Sequence, residues 1–513
     1  MHRAHSMNTK KLLFGSLFVA SGLALTRKLF TSQSPGSLAP ADTTYADIDT
    51  YVEEQMHHLS IPGVSMAIVE GDRLVHYRGF GRAQPDGEAP TLQTTFFIGS
   101  VTKSITALAI MQLVEAGKVE LDAPVQRYLP WFRVADYEAS TQITVQHLLN
   151  HTSGLSMVQG QQILSELDEG PDAMVSQLRA LSTVRLSHPV GQVFAYNNTN
   201  YNLLGLIIEA TSGDSYSNYV QEHIFKPLAM RHSYFSKTVA QQNNLAMGHR
   251  YWFGFPIPTP NLPQPIGSLP SGQLISCAED LAHFLIAQLN GGRYGNVQIL
   301  SEAGIDAMHR GSVEMIEMGL SIGKYGMGWE SRVEGNTTLV SHSGIVPEFG
   351  AFAGLIPDQK KGIILLYNVN HALIKLTFDE FGVGATERLA GVTPSRKLFG
   401  FAPWLMRSMA LIPVFQLIGV VLTFKRINQW YSEPASRPSR SGLWMQHILG
   451  PLLPNLLVAA TLYPAFSKMR GWLELFMADF SWIARLSGGF AAVWTFLRTA
   501  LVLRAWRKSQ RTN

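Results

Sequence analysis

Phe96-Phe97-Ile98-Gly99-Ser100-Val101-Thr102-Lys103 runs from a short aromatic stretch into a helix start, and the reading of the fold turns on it. The residues that follow, 104–116, are apolar nearly all round and stop at Gly117, the pattern of a buried helix. Ser100 and Lys103 are three apart and so share one helix face. A serine at a helix N-terminus meets the positive end of the dipole, and its own N–H is free to donate to an oxyanion. A buried lysine tends to lose its proton, and a neutral amine can take one from a hydroxyl. The spacing alone also fits a helix N-cap beside a solvated lysine. Ser321-Ile322-Gly323-Lys324 repeats it, but among turn formers such as Gly326 and Gly328, so no rigid helix is expected to present that copy.

Outward from this stretch, 64–69 is an apolar run ended by Glu70-Gly71-Asp72, and 74–77 follows, a β-hairpin pattern. Towards the other end, 338–341 and 351–356 read as strands, and Pro357-Asp358 turns the chain into a further strand over 363–367. Between these ends, 203–210, 216–224 and 278–289 suit helices. Strands at both ends with helices between predict an α+β fold, one sheet with an inserted helical region.

Two further motifs follow in order. Phe194-Ala195-Tyr196-Asn197-Asn198 holds a Tyr-x-Asn triplet, and His342-Ser343-Gly344 ends a predicted strand. Ser-x-x-Lys, Tyr-x-Asn and Lys/His-Ser/Thr-Gly in this order resemble the serine β-lactamase and penicillin-binding-protein superfamily, most closely its class C-like branch. The phrases Leu148-Leu149-Asn150-His151-Thr152-Ser153-Gly154-Leu155, Tyr201-Asn202-Leu203-Leu204-Gly205 and Ala278-Glu279-Asp280-Leu281 match as well, and the resemblance covers roughly residues 48–389. It implies a β-lactamase/transpeptidase-like antiparallel sheet. It further implies that Ser100 forms an acyl-enzyme, Lys103 shares its proton, and Tyr196 acts as base and later protonates the leaving group. Asn198 would hold the substrate carbonyl, and the Ser100 and Ile345 N–H groups would form the oxyanion hole. His342, Ser343, Gly344 and Ile345 are thus expected on the substrate side. Tyr216-Ser217-Asn218 also fits the triplet, but sits in an amphipathic helix and reads as packing. Where many relatives carry a carboxylate-binding lysine this chain has His342, a residue mostly neutral near neutral pH, so recognition of a C-terminal carboxylate is not implied. No class A-type Glu deacylation motif is present, so efficient β-lactam hydrolysis is not implied either.

Of 513 residues, 46% are hydrophobic and only 15% charged, a low charged share that points to lipid contact. The net charge of +4 hides an asymmetry: residues 45–390 hold 21 basic against 33 acidic side chains, and the flanks 20 against 4. An acidic body with basic ends argues against a nucleic-acid partner. Lys10 and Lys11 precede an apolar run over 12–25, a signal-peptide layout that Arg27 and Lys28 leave open to being an uncleaved anchor. Residues 32–44 are a Ser/Pro/Ala-rich linker.

Three apolar runs follow the body, over 398–424, 443–466 and 481–503, the first broken by Arg407 and the third by Arg485 and Arg498. Lys425, Arg426, Arg437 and Arg440 lie between the first two, and Arg504, Arg507, Lys508 and Arg511 end the chain. The positive-inside rule makes both basic segments cytoplasmic and puts the body outside. The expected organisation is a signal or anchor with linker over 1–44, an extracytoplasmic hydrolase over 45–390 and a three-span membrane domain over 391–513. Signal, hydrolase and three spans together also resemble the colibactin-maturing peptidase group, which cleaves an acylated D-asparagine cap from a prodrug.

Cys277 is the only cysteine, so no intrachain disulfide forms, and it reads as a small core residue. No His-Glu-x-x-His and no Gly-rich phosphate loop occurs, and neither metal nor cofactor is expected. The segment 251–271, rich in Pro and aromatic residues, is a candidate border of the cleft. Three readings of function follow: an exported serine hydrolase acting on a small-molecule or peptide amide or ester, a non-hydrolytic penicillin-binding sensor, and an envelope interaction protein with a dead site.

Overall fold

The computed structural model describes residues 45–510 except 86, 159–167, 169, 171, 260–261, 318–319, 394–399 and 451–468. The expected leader and linker over 1–44 lie outside the described residues. The centre of the body is an eight-stranded sheet. Its strands are β1 (Gly63–Glu70), β2 (Arg73–Gly81), β3 (Val313–Glu317), β4 (Leu320–Tyr325), β5 (Glu330–Glu334), β6 (Thr337–Val346), β7 (Phe349–Ile356) and β8 (Lys361–Tyr367). They lie in the order β2-β1-β8-β7-β6-β5-β4-β3, every neighbouring pair antiparallel.

Alternation along the central strands shows why their sequences are nearly continuous apolar runs. In β1, Val64, Met66 and Ile68 enter one core while Ala67 and Val69 enter another, and in β8 Ile363, Leu365 and Tyr367 divide in the same way from Ile364 and Leu366. The sheet is covered on both faces, so neither face of these strands can be polar. One cover is made by α1 (Ala46–Leu59) and the late helix α5 (Lys375–Ala390), through Ile48, Val52, Phe378 and Phe381. The other is the inserted helical region, with α2 (Thr102–Glu115), α3 (Asn198–Ser212) and α4 (Ala278–Leu289).

The hairpin, the strands in the later part and the helices of the insertion match expectation. The three strands between 313 and 334 were not expected there, because glycines 323, 326 and 328 mask their period. Ser321 and Lys324 lie on β4, paired with Ile316 and Ser331, so this second Ser-x-x-Lys has no helix to align it. Cys277 is fully buried and caps α4, its sulfur accepting from the Asp280 N–H at 3.5 Å.

Asp280 explains one of the sequence phrases. Its buried carboxylate accepts from the N–H groups of Arg231 and His232 at 3.2 and 2.7 Å and from Ser233 Oγ at 2.7 Å, pinning the 231–233 loop to the start of α4. Asp280→Ala would remove the acceptor of the Arg231 and His232 N–H groups, while Ser233 Oγ keeps Ser276 Oγ at 2.9 Å, and each buried unpaired donor costs about 1–3 kcal/mol. A stability loss of at least about 2 kcal/mol in urea denaturation is expected.

Beyond the body, two helices among the described residues are long and apolar enough to cross a membrane, Ala402–Ser432 and Ala478–Gln510. They cover the first and third expected spans; most of the second, 451–466, lies outside the described residues. The basic residues that interrupt the apolar runs are paired. Arg407 donates to Ser60 Oγ at 3.3 Å, Arg485 to Glu474 Oε1 at 2.9 Å, and Arg498 to Thr423 Oγ1 at 3.2 Å and to the His447 carbonyl.

Candidate active site

Gly99–Val101 is a single 3-10 turn that feeds α2 and lies against the edge of β6. β5 pairs only with residues 337–341 of β6, so residues 342–346 project past it and leave that edge open. The Gly99-Ser100 turn packs there. Gly99 has φ +52°, and a Cβ on it would lie 2.4 Å from the Ile345 nitrogen. A Cβ on Gly344 would lie 2.0 Å from the Ile98 carbonyl oxygen and 2.9 Å from the Ser100 nitrogen. Both positions require glycine because backbone meets backbone. The result brings the peptide nitrogens of Ser100 and Ile345 to one place, as an oxyanion hole needs.

Lys103 is fully buried and reaches back along α2. Its Nζ lies 3.0 Å from Ser100 Oγ, 2.7 Å from Asn198 Oδ1 and 2.5 Å from the Ser271 carbonyl oxygen. Its pKa is held well below the ordinary lysine value by burial. No carboxylate is among these partners, and burial outweighs the acceptor oxygens of Asn198 and Ser271, so the amine gives up its proton more readily than an ordinary lysine. A neutral amine at 3.0 Å can accept the Ser100 proton.

Asn197 caps α3, its side chain accepting from the Thr199 N–H, and this places Asn198 in the first turn facing Lys103. Tyr196 just precedes the cap. Burial of its ring raises its pKa above the ordinary tyrosine value, and the nearby Ser100 side chain opposes that rise. The Lys103 Nζ lies 4.9 Å from the centre of the Tyr196 ring. Tyr216, the alternative tyrosine, is buried and bonded to Thr106 Oγ1 at 2.7 Å, which is packing.

His342 is 2% exposed, with both ring nitrogens engaged. Nδ1 lies 2.6 Å from the Ser343 carbonyl oxygen, and Nε2 lies 3.1 Å from the Tyr325 hydroxyl. A carbonyl can only accept, so Nδ1 carries the proton and Nε2 accepts from Tyr325. Burial, followed by the Lys103 charge, pushes the His342 pKa down to about 3. His342 is therefore neutral at physiological pH, as its residue type suggested, and it supports the site from behind rather than offering a cation.

Sequence reasoning gave no role to three nearby groups. The His151 ring packs at 4.4 Å from Tyr196 and 4.9 Å from Tyr325, and its Nδ1 accepts from the Asn197 N–H at 3.1 Å, so it fixes the tyrosine loop. It had a signal, since it lies in the Leu148–Leu155 phrase. The Ser271 carbonyl had none, being backbone. Glu348 lines the cavity beside Ser100, with its pKa raised to about 7 by burial and opposed by Lys237 at 3.7 Å. That cavity, about 570 Å³ including its open mouth, is also lined by Leu262, Pro263 and Pro265 of the segment expected at its border.

Comparison with known proteins identifies the family. A family model described as Beta-lactamase matches residues 48–376. The chain is 31% identical over 335 residues to Protein flp of Staphylococcus aureus (strain MW2), covering 63% of this chain and 63% of that protein. It is 34% identical over 242 residues to Penicillin-binding protein 4 of Amycolatopsis lactamdurans, covering 46% of this chain and 61% of that one. The chain thus spans less than two thirds of the length of these relatives. Among solved structures, the octameric penicillin-binding protein homologue from Pyrococcus abyssi aligns with a TM-score of 0.60 at 29% identity, covering 69% of this chain and 79% of that one. Since the family match takes in nearly the whole body that carries Ser100, Lys103, Tyr196 and His342, this chain belongs to the β-lactamase family and has penicillin-binding-protein homologues.

Proposed function

We propose that the protein is a serine hydrolase that cleaves an amide or ester through an acyl-enzyme on Ser100. The observation that carries this reading is the buried Lys103 amine, 3.0 Å from Ser100 Oγ and without a carboxylate partner. In the first step the Ser100 Oγ–carbonyl bond forms, and the serine proton passes to the Lys103 amine. The carbonyl C–N or C–O bond then breaks, and the amine or alcohol leaves with that proton. Water then attacks the ester on Ser100, and the acid and free serine are released. The N–H groups of Ser100 and Ile345 stabilise the oxyanion in both steps, and one such donor is worth about 2.7–4 kcal/mol. Asn198 holds the substrate carbonyl side and also orients Lys103.

The reading includes an extracytoplasmic catalytic body anchored by the C-terminal helices. Its support is the pairing of Ala402–Ser432 with Ala478–Gln510, whose far ends carry Lys425, Arg426, Arg504, Arg507 and Lys508.

The test is labelling of full-length protein with a fluorescent penicillin or a fluorophosphonate, followed by peptide mass spectrometry. Adduct on Ser100 is expected, and Ser100→Ala should abolish it. Equal labelling of Ser100→Ala would sink the proposal.

A further inference from the structure

The cavity beside Ser100 is not closed by the family body alone. Leu475 and Phe476 line it, although they lie far beyond residue 376, where the family match ends. They belong to a helical stretch, 469–476, that leads directly into Ala478–Gln510. Several bonds to the body hold this stretch in place. Arg250 Nη1 donates to the Glu474 carbonyl at 3.2 Å, and the Phe253 N–H donates to Asp479 Oδ2 at 2.8 Å. His371 Nε2 lies 2.8 Å from Asp479 Oδ1, with both side chains buried. Phe476 is 4% exposed and stacks on Trp472, with ring centres 5.2 Å apart.

Leu262, Pro263, Pro265 and Val346 add further apolar wall, while Asn198, Lys237, Gln273 and Glu348 supply the polar part of the lining. Because Ser100 and Ile345 line the same space, a group bonded to the scissile carbonyl can be seated there. We propose that the segment before the last apolar helix forms one wall of the substrate site, and that the site takes amides or esters with an extended apolar acyl group. This inference rests on the serine hydrolase reading. An apolar wall that buries the acyl chain gains transition-state binding with each methylene, whereas an acetyl group never reaches it.

The test uses full-length protein in detergent and p-nitrophenyl acetate, butyrate and octanoate below the micelle-forming concentration. Wild-type kcat/KM should favour octanoate over acetate by at least about 10-fold, the discrimination expected of an apolar pocket. Phe476→Ala should cut that ratio by about 10-fold, and Phe476→Leu should restore most of it. Asp479→Asn, which loosens the anchor without touching the cavity wall, should lower the ratio in the same direction. Ser100-dependent turnover with a ratio unaltered in Phe476→Ala and Asp479→Asn overturns this inference and leaves the hydrolase reading standing. Absence of Ser100-dependent turnover on every ester overturns both.

Discussion

Lys103→Met should leave the protein folded and cut the rate of Ser100 acylation by about 10²- to 10⁴-fold, the usual worth of a positioned proton acceptor. Methionine is one atom shorter than the buried lysine but fills the place of its apolar stem, so the core loses little packing. It removes the one amine within 3.0 Å of Ser100 Oγ. Lys103→Arg should not rescue the rate, because a guanidinium stays protonated and cannot accept the serine proton. The pH profile gives an independent check. The Lys103 pKa is lowered, so the neutral form is the dominant one at pH values where an ordinary lysine is still charged. Acylation by wild-type protein should persist to lower pH than an ordinary lysine would allow and fall on acidification as Lys103 takes up its proton. Stopped-flow labelling with a fluorescent penicillin across pH measures this, and a Lys103→Met profile of unchanged height would refute the assignment.

Gly344→Ala should lower acylation by about 10²- to 10³-fold, comparable with loss of an oxyanion donor. The added methyl would stand 2.0 Å from the Ile98 carbonyl oxygen and 2.9 Å from the Ser100 nitrogen, and both are backbone atoms that cannot rotate away. The Gly99-Ser100 turn must then move off the β6 edge, which separates the Ser100 and Ile345 N–H groups. Circular dichroism and thermal melting should show a folded protein, because the displacement is confined to the open edge of β6. A variant that acylates at the wild-type rate would show that the two N–H groups need not meet.

Much of the site was legible in the chain because its chemistry is local. Ser100 and Lys103 are one helical turn apart, Tyr196 and Asn198 flank one helix cap, and Ser343 to Ile345 are consecutive on one strand. Their order fitted a known motif set, and the hairpin and late strands carried plain apolar runs. The strands over 313–334 were hidden by glycines that break the period, although pairing with β6 through β5 specifies them in three dimensions.

By itself, then, the sequence pointed to the candidate nucleophile, its lysine, the tyrosine triplet and the apolar C-terminal runs, each written in neighbouring residues. Tertiary structure alone decided what surrounds them. The Lys103 pKa is lowered because the helices packed around it bury it completely with no carboxylate beside it, and no spacing rule contains that. His342 is neutral because Tyr325 and the Ser343 carbonyl occupy both its nitrogens in a buried place. Leu475 and Phe476 reach the cleft only because Arg250, Phe253 and His371 hold the C-terminal segment against the body, contacts made across more than a hundred residues of chain. Desolvation and long-range contact depend on all neighbours at once, so they become readable only when the chain is folded.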